Sequence, residues 1–440
     1  MTQGTAVDRV RRTGDVLDLL GMGFGPSNLA IAVAQLEMAP EMSALFLERR
    51  PAFGWHDGML FATATMQVNF MKDLASLRDP RSRFTFPNFL HEHGRLASFT
   101  NMKTMFPRRV EFHQYLEWCA RHFDDRVAYD TWATEIAKET RDGEDLFRVT
   151  IHGPDGTAVV HARSIVYSCG LEPHIPFPVS AADRVLHAHT ILRDADSHPP
   201  GGHYAVVGAG QSAAEIVKFL FQRGAKVTAV VSRFGYMPTD DSPFVNEVFD
   251  PDQVDTFFNA PSETRSHILS LHASTNYSGV DLDLLSELYK DWYHDRVAGT
   301  ARLDFLRMSR VTGVEDRPDG ARLRFQDAMT GIERQLDADY VICATGFRAR
   351  SPLGIMTEDL REQVALDDTG EPVFARDYSL RMRGEEDLAI FAPHMTTRQH
   401  GLSATLISNM AVRSGEILDS IEARIRRMKA RRMHLEPADD

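Results

Sequence analysis

Asp15 to Ala30 reads DVLDLLGMGFGPSNLA, and the order of events in this stretch decides the fold. An apolar run, Val16 to Leu20, leads into Gly21-Met22-Gly23-Phe24-Gly25-Pro26, and a second apolar run, Leu29 to Leu36, follows. Strand, glycine turn and helix in that order open a dinucleotide-binding βαβ unit. Gly21 permits the tight turn. Gly23 has no Cβ, so the backbone can approach a pyrophosphate. Pro26 stands where the usual fingerprint has glycine or alanine, but in the first helical turn its missing N–H costs nothing. The helix start then offers free N–H groups and a positive dipole end to phosphates. The continuation strengthens the pattern. Ser43 to Leu47, SALFL, reads as a second strand ending on Glu48, a carboxylate placed to accept the hydroxyls of an adenosine ribose.

The chain has 440 residues, enough for two or three domains, with 43% hydrophobic and 25% charged residues, ordinary values for a globular protein. No apolar stretch approaches a membrane span. The segment before Asp15 lacks the apolar core of a secretory signal and reads as a disordered lead-in, residues 1–14. A net charge of −13 argues against a general nucleic-acid binder. Cys119, Cys169 and Cys343 are few and far apart. They have no zinc spacing and suggest no disulfide framework, so no metal is expected and a reducing cytoplasm fits.

Further along, Arg49 to Pro107 is rich in Phe, Met, Gly and Pro without clean periodicity, a long looped stretch of the kind that is usually functional. Glu111 to Phe123 places Phe112, Tyr115, Leu116, Cys119 and Phe123 on one helical face. Short β runs follow as a meander: VAYD, LFRVTIHG and AVVHARSIVYSCG. A second nucleotide unit then appears: His203 to Val207, the turn Gly208-Ala209-Gly210-Gln211-Ser212, a helix Ala213 to Arg223 and a strand Lys226 to Val231. This strand ends in Ser232-Arg233 rather than an acid. A hydroxyl and a guanidinium suit a ribose 2′-phosphate, which favours NADPH over NADH. Tyr236 to Gly299 reads as a mainly helical insertion. Beta structure returns through LDFLRM, RLRFQD and the strand ending in Ala344-Thr345-Gly346, where the chain crosses back. A helix, Ser403 to Met428, and a charged tail close the chain.

The expected fold is α/β: two Rossmann-like dinucleotide-binding domains, for FAD and NADPH, plus a small mainly helical substrate-binding insertion. The FAD domain is expected over 15–200 and 345–430, the NADPH domain over 201–240 and 300–344, the insertion over 241–299 and a tail over 431–440. No CxxC pair lies near either nucleotide unit, which disfavours a disulfide reductase. Hydride transfer from NADPH to flavin, followed by oxygen, remains.

At this point the residues reach a resemblance. GFGPSNLA at 23–30, WHDGM at 55–59, MQVNFMKDLASLRDPRSRFTF at 66–86, GAGQSAAEI at 208–216, DDSPFVNEVFDP at 240–251, TNYS at 275–278, CATGF at 343–347 and HGLSATLISNMAVRSGEI at 400–417 together resemble the lysine/ornithine N-monooxygenases. Within these amine-hydroxylating flavoproteins the chain looks most like the L-ornithine N5-monooxygenases of siderophore biosynthesis.

The resemblance implies that Lys72 meets the substrate α-carboxylate, that Asn246 and Asn276 hold the amino-acid backbone and that Ser408 lies near the substrate amine. It implies FAD contacts from Gly21, Gly23, Gly25, Pro26, Ser27, Glu48, Trp55, His56, Met66, Gln67 and Leu406. It implies NADPH contacts from Gly208, Gly210, Gln211, Ser212, Arg233, Asn276, Tyr277 and Thr345. No side-chain nucleophile is required. A flavin C4a-hydroperoxide, shielded by bound NADP⁺, is attacked by the neutral amine to give N5-hydroxyornithine, so turnover should rise toward mildly alkaline pH. The expected partners are a small-molecule amine and O2, with no nucleic acid and no membrane, in a homo-oligomer for which a tetramer is one arrangement. Cys169, Gly279 and Gln399 depart from residues common in relatives. The open alternatives are lysine or a diamine (putrescine, cadaverine) as substrate, an NADPH oxidase or other flavin monooxygenase, and a nucleotide-binding protein without turnover.

Overall fold

The computed structural model describes residues 16–180, 183–193, 201–275, 279–384 and 387–435. Leu17–Met22 (β1) is buried almost throughout, as a parallel central strand must be. It passes through the glycine turn into Pro26–Met38 (α1), whose residues Asn28 to Gln35 are all buried. A helix apolar on every side is a core helix, and α1 packs beneath the C-terminal helix Met410–Leu435 and beside Arg109–Ala120. Ala44–Leu47 (β2) returns parallel to β1.

Gly156–Tyr167 (β3) joins two parts of this sheet. Its first half pairs antiparallel with Glu144–Gly153, and its second half runs parallel to β1 on one edge and to Ala389–Phe391 on the other. The meander is completed by Trp132–Arg141, a strand the sequence reading omits. Only Ile136 and Ala137 of it are buried, and an edge strand protected by Lys, Glu and Arg carries little apolar signal. The helix expected from Glu111 spans Arg109–Ala120 and runs into a 3-10 turn to Phe123, and its five named apolar residues are all buried.

The second sheet is fully parallel among the described residues. In spatial order it holds Val185–His187 (β4) at one edge and His203–Val207 (β5) near its centre, followed by Lys226–Val230 (β6) and Leu303–Leu306 (β7). Tyr340–Cys343 (β8) lies between β4 and β5. β4, which precedes residue 201, thus pairs with β8 of this sheet. Gln211–Gln222 (α2) follows β5 and covers one face. The antiparallel strands Ser309–Arg317, Gly320–Asp327 and Glu333–Ala338 cover the other.

The insertion is helical: Pro243–Asn246, Gln253–Asn259, Ser262–Leu271 and Leu282–Val297 (α3). It touches both units, since α3 packs on α2 while Gln253–Asn259 packs on Thr397–His400. Residues 57–64 also cross over. Met59, Phe61 and Ala64 sit in the apolar core beneath α2 with Ile191, Tyr204 and Ile216, and the rings of Phe61 and Phe219 lie 4.9 Å apart.

Two expectations at the C-terminus change. Leu402 to Asn409 forms two 3-10 turns rather than helix, and the long helix runs from Met410 to Leu435, through the first residues expected as tail. Arg413 braces these turns: its buried guanidinium donates to the carbonyls of Ser403 at 3.2 Å, Ala404 at 2.6 Å and Leu406 at 3.4 Å, while Ser403 O also accepts the Leu406 N–H at 3.1 Å.

Candidate active site

The first glycine turn is built for close approach. Gly23 has φ +79°, and a Cβ there would come within 2.5 Å of the Ser168 carbonyl oxygen. Asn28, fully buried, donates from Nδ2 to Met22 O, Gly23 O and Val166 O, tying the turn to β3. Ser168 Oγ lies 3.2 Å from Ser27 Oγ. Gly25 is the N-cap of α1 and offers no side-chain cap, and a Cβ on it would meet nothing within 4 Å. Uncapped N–H groups facing open space at a helix start fit a pyrophosphate.

Glu48, buried at the end of β2, accepts from Phe24 N at 2.8 Å and from Arg50 N and Nε at 3.0 and 3.2 Å. Three of its roughly four acceptor sites are thus taken within the protein. This narrows the expectation that it serves both ribose hydroxyls. Arg50 runs on to Asp57 at 3.1 Å, anchoring the turn that carries Trp55 and His56. Those two rings meet edge to face at 4.7 Å. His56 is solvent-accessible yet ringed by protein. That desolvation, with the positive charge of Arg109 nearby, lowers its pKa from 6.5 to about 4, so the ring is neutral at physiological pH.

The second turn repeats the logic. Gly208 has φ +148°, and a Cβ there would lie 2.4 Å from the Ala344 carbonyl oxygen. Gly210, the N-cap of α2, again supplies no side-chain cap. Thr345 donates to His174 O at 2.5 Å where the chain crosses back. Ser232 and Arg233 lie exposed just beyond β6.

Between the turns runs a polar chain. Gln67 Nε2 donates to Asp281 Oδ1 at 2.9 Å, and Gln211 Nε2 donates to Asp281 Oδ2 and to Glu215 Oε1, both at 3.0 Å. Arg109 grips Glu215 with both terminal nitrogens, at 3.0 and 2.8 Å. Asp281, Glu215, Arg109, Asn28 and Arg413 escaped the sequence reading. Single charged residues at helix starts or inside helices look like caps or solvated surface until the fold brings them together.

The substrate side assembles from three segments. Lys72 is half-buried, with its ammonium 6.0 Å from the centre of the Phe249 ring. No carboxylate lies within ion-pair distance of it among the described residues. Asn246, one turn before Phe249, donates to Asp241 O at 2.7 Å. The Glu247–Phe249 turn packs on Leu402–Thr405, which leads to Leu406 and to buried Ser408. Met66 is buried and is held by the carbonyl of Pro107 at 2.8 Å. Asn276 and Tyr277 lie outside the described residues. His400 is fully buried. It stacks on Tyr378 at 4.3 Å and has a pKa lowered to about 4 by burial, as a structural histidine would. Among the described residues no group of three His, Cys, Asp or Glu could hold a metal, and no helix is long and apolar enough to cross a membrane.

Residues 15–349 match the sequence profile of L-lysine 6-monooxygenase/L-ornithine 5-monooxygenase. The L-ornithine N(5)-monooxygenase of Ajellomyces capsulatus is 38% identical over 445 residues, covering 95% of this chain and 93% of the relative. That of Burkholderia cepacia is 42% identical, covering 76% and 78%. Among solved structures, the Kutzneria sp. 744 ornithine N-hydroxylase, with reduced FAD, NADP⁺ and L-ornithine, matches at a TM-score of 0.90. It is 39% identical and covers 93% of this chain and 100% of its own.

Proposed function

This chain belongs to the L-lysine 6-monooxygenase/L-ornithine 5-monooxygenase family, and from that premise we propose that it hydroxylates the side-chain amine of L-ornithine, using FAD, NADPH and O2. The observation that carries the reading is Lys72. A half-buried ammonium with no carboxylate partner among the described residues, beside the Asn246 turn, calls for an anionic group from outside the chain. An α-amino acid brings that carboxylate, and a diamine does not.

The first glycine turn would hold FAD and the second NADPH. Bound flavin, reduced by NADPH, supplies the oxygen-transfer chemistry. The chain's residues position and shield. The uncapped starts of α1 and α2 take the phosphates, Lys72 and Asn246 orient the amino-acid end, and Ser408 lines the amine end. Neutral His56 places no positive charge in the cleft to oppose an ammonium arriving there. Ser232 and Arg233 support a preference for NADPH over NADH, and similar turnover with both would refute it.

The exposed apolar stripe Leu282, Tyr289, Tyr293 and Val297 along α3 supports a homo-oligomer, which light scattering would measure. Three unpaired cysteines, two of them buried, suit a cytoplasmic setting.

The test is a hydroxylamine-product assay over ornithine, lysine, putrescine and cadaverine. Ornithine is expected to lead, with lysine behind by the ~1–3 kcal/mol that one methylene commands and the diamines far behind. Lys72→Ala should raise the KM for ornithine about 10- to 100-fold, the worth of a charged hydrogen bond, with NADPH oxidation retained. An unchanged KM would remove Lys72 from the carboxylate site.

A further inference from the structure

Asp281 is the N-cap of α3, the position where an aspartate ordinarily accepts from the N–H groups of its own helix, yet its side chain makes no such bond. The carboxylate points away from the helix instead. Oδ1 accepts from Gln67 at 2.9 Å and Oδ2 from Gln211 at 3.0 Å, while the Asp281 backbone N–H donates back to Gln211 Oε1 at 2.9 Å. Gln67 lies on the long loop of the first unit and Gln211 opens α2 of the second. One residue of the insertion therefore joins both.

We propose that Asp281 is a positioning residue of the cleft, forgoing its own helix cap so that its two oxygens orient the Gln67 and Gln211 amides toward the flavin and nicotinamide nucleotide sites. The proposal rests on the two-nucleotide reading above and is independent of which amine is used.

Donor and acceptor roles follow from the chemistry. An ionised carboxylate only accepts, so both glutamines must turn their NH2 groups to it. Gln211 then has both N–H bonds committed, to Asp281 and Glu215, and its oxygen bonded to the Asp281 N–H. Its amide cannot flip without breaking three bonds. Gln67 is left with its carbonyl oxygen and one N–H for the cleft. Burial, aided by the nearby charge of Glu215, holds the Asp281 carboxyl above the usual carboxylate range, while the two amides pull it back.

Asp281→Asn and Asp281→Ser separate positioning from capping. Asn and Ser cap helices as well as Asp does, so a capping role predicts that both variants behave as wild type. Positioning predicts damage, because neither replacement can accept from both glutamines in the same orientation. With FAD-loaded protein, equilibrium titration should show NADP⁺ binding weakened about three- to tenfold in Asp281→Asn. Less hydroxylated amine should form per NADPH consumed, while the amine KM stays within twofold and flavin content and melting temperature hold. Unchanged NADP⁺ affinity and unchanged coupling in both variants would overturn the proposal, as would equal losses of flavin content and amine affinity. Should the wild type bind NADP⁺ but hydroxylate none of the four amines, the reading of the substrate fails, while the titration still decides the role of Asp281.

Discussion

His400 is 2% exposed, and Nε2 donates to Arg376 O at 3.0 Å. Its Nδ1 is buried without a hydrogen-bond partner among the described residues. Charging the ring in this burial, beside the positive charges of Arg376 and Arg413, is unfavourable, and its pKa falls to about 4 against 6.5 in an unfolded chain. Between those values the unfolded chain binds the extra proton. Stability is therefore full above about pH 6.5 and drains as pH falls toward 4, by at most ~3 kcal/mol for this residue. His394, lowered to about 4 by its own burial, acts in the same direction. Denaturant unfolding at several pH values between 7.5 and 4.5 should show a shallower acid slope for His400→Gln than for wild type. Parallel slopes would contradict the assignment. Histidine is also where sequence reading is weakest: His56 and His400 stand in equally distinctive motifs, but one lies exposed against Trp55 and the other packs in a core, and only tertiary surroundings separate them.

Glycine turns were the most legible elements, because a strand, a residue that tolerates positive φ and an uncapped helix start leave a pattern in consecutive residues. Gly23→Ala should expel FAD. It combines a left-handed backbone angle with a Cβ 2.5 Å from a main-chain oxygen that β3 and the turn hold in place. The flavin-to-protein absorbance ratio of purified material measures it, and wild-type loading would refute it. The 402–409 segment was not legible. Its apolar spacing suits a helix, and the turns found instead are braced from the next element by Arg413, which bonds three of their carbonyls. Arg413→Met keeps most of the volume and removes a donor from each of those carbonyls, of which Ser403 O keeps the Leu406 N–H. A loss of about 2–5 kcal/mol is expected from up to two unsatisfied buried acceptors. A denaturation midpoint within error of wild type would show that the turns hold by themselves. The charged edge strand Trp132–Arg141 was missed for the complementary reason: its pairing partners, not its side chains, make it a strand.

At the scale of the molecule, the order of the two nucleotide units and the helical character of the insertion could be read from the sequence, but not the interlocking of the units. Arg109 and Glu215 pair across them with little exposure, at 13% and 7%, and Met59, Phe61 and Ala64 fill the core beneath α2. Calorimetry should accordingly record one cooperative unfolding transition. Two resolved transitions would mean that this shared core contributes little coupling. Arg109→Ala leaves the Glu215 carboxylate buried with the Gln211 amide as its remaining partner, and should lower that transition by several degrees. The crossing of 57–64 also bears on anyone recombining relatives. A hybrid that takes the half built on β5 and α2 from one parent and the remainder from another will inherit mismatched packing at Met59 and Phe61, unless that short span travels with the half it serves rather than the half that encodes it.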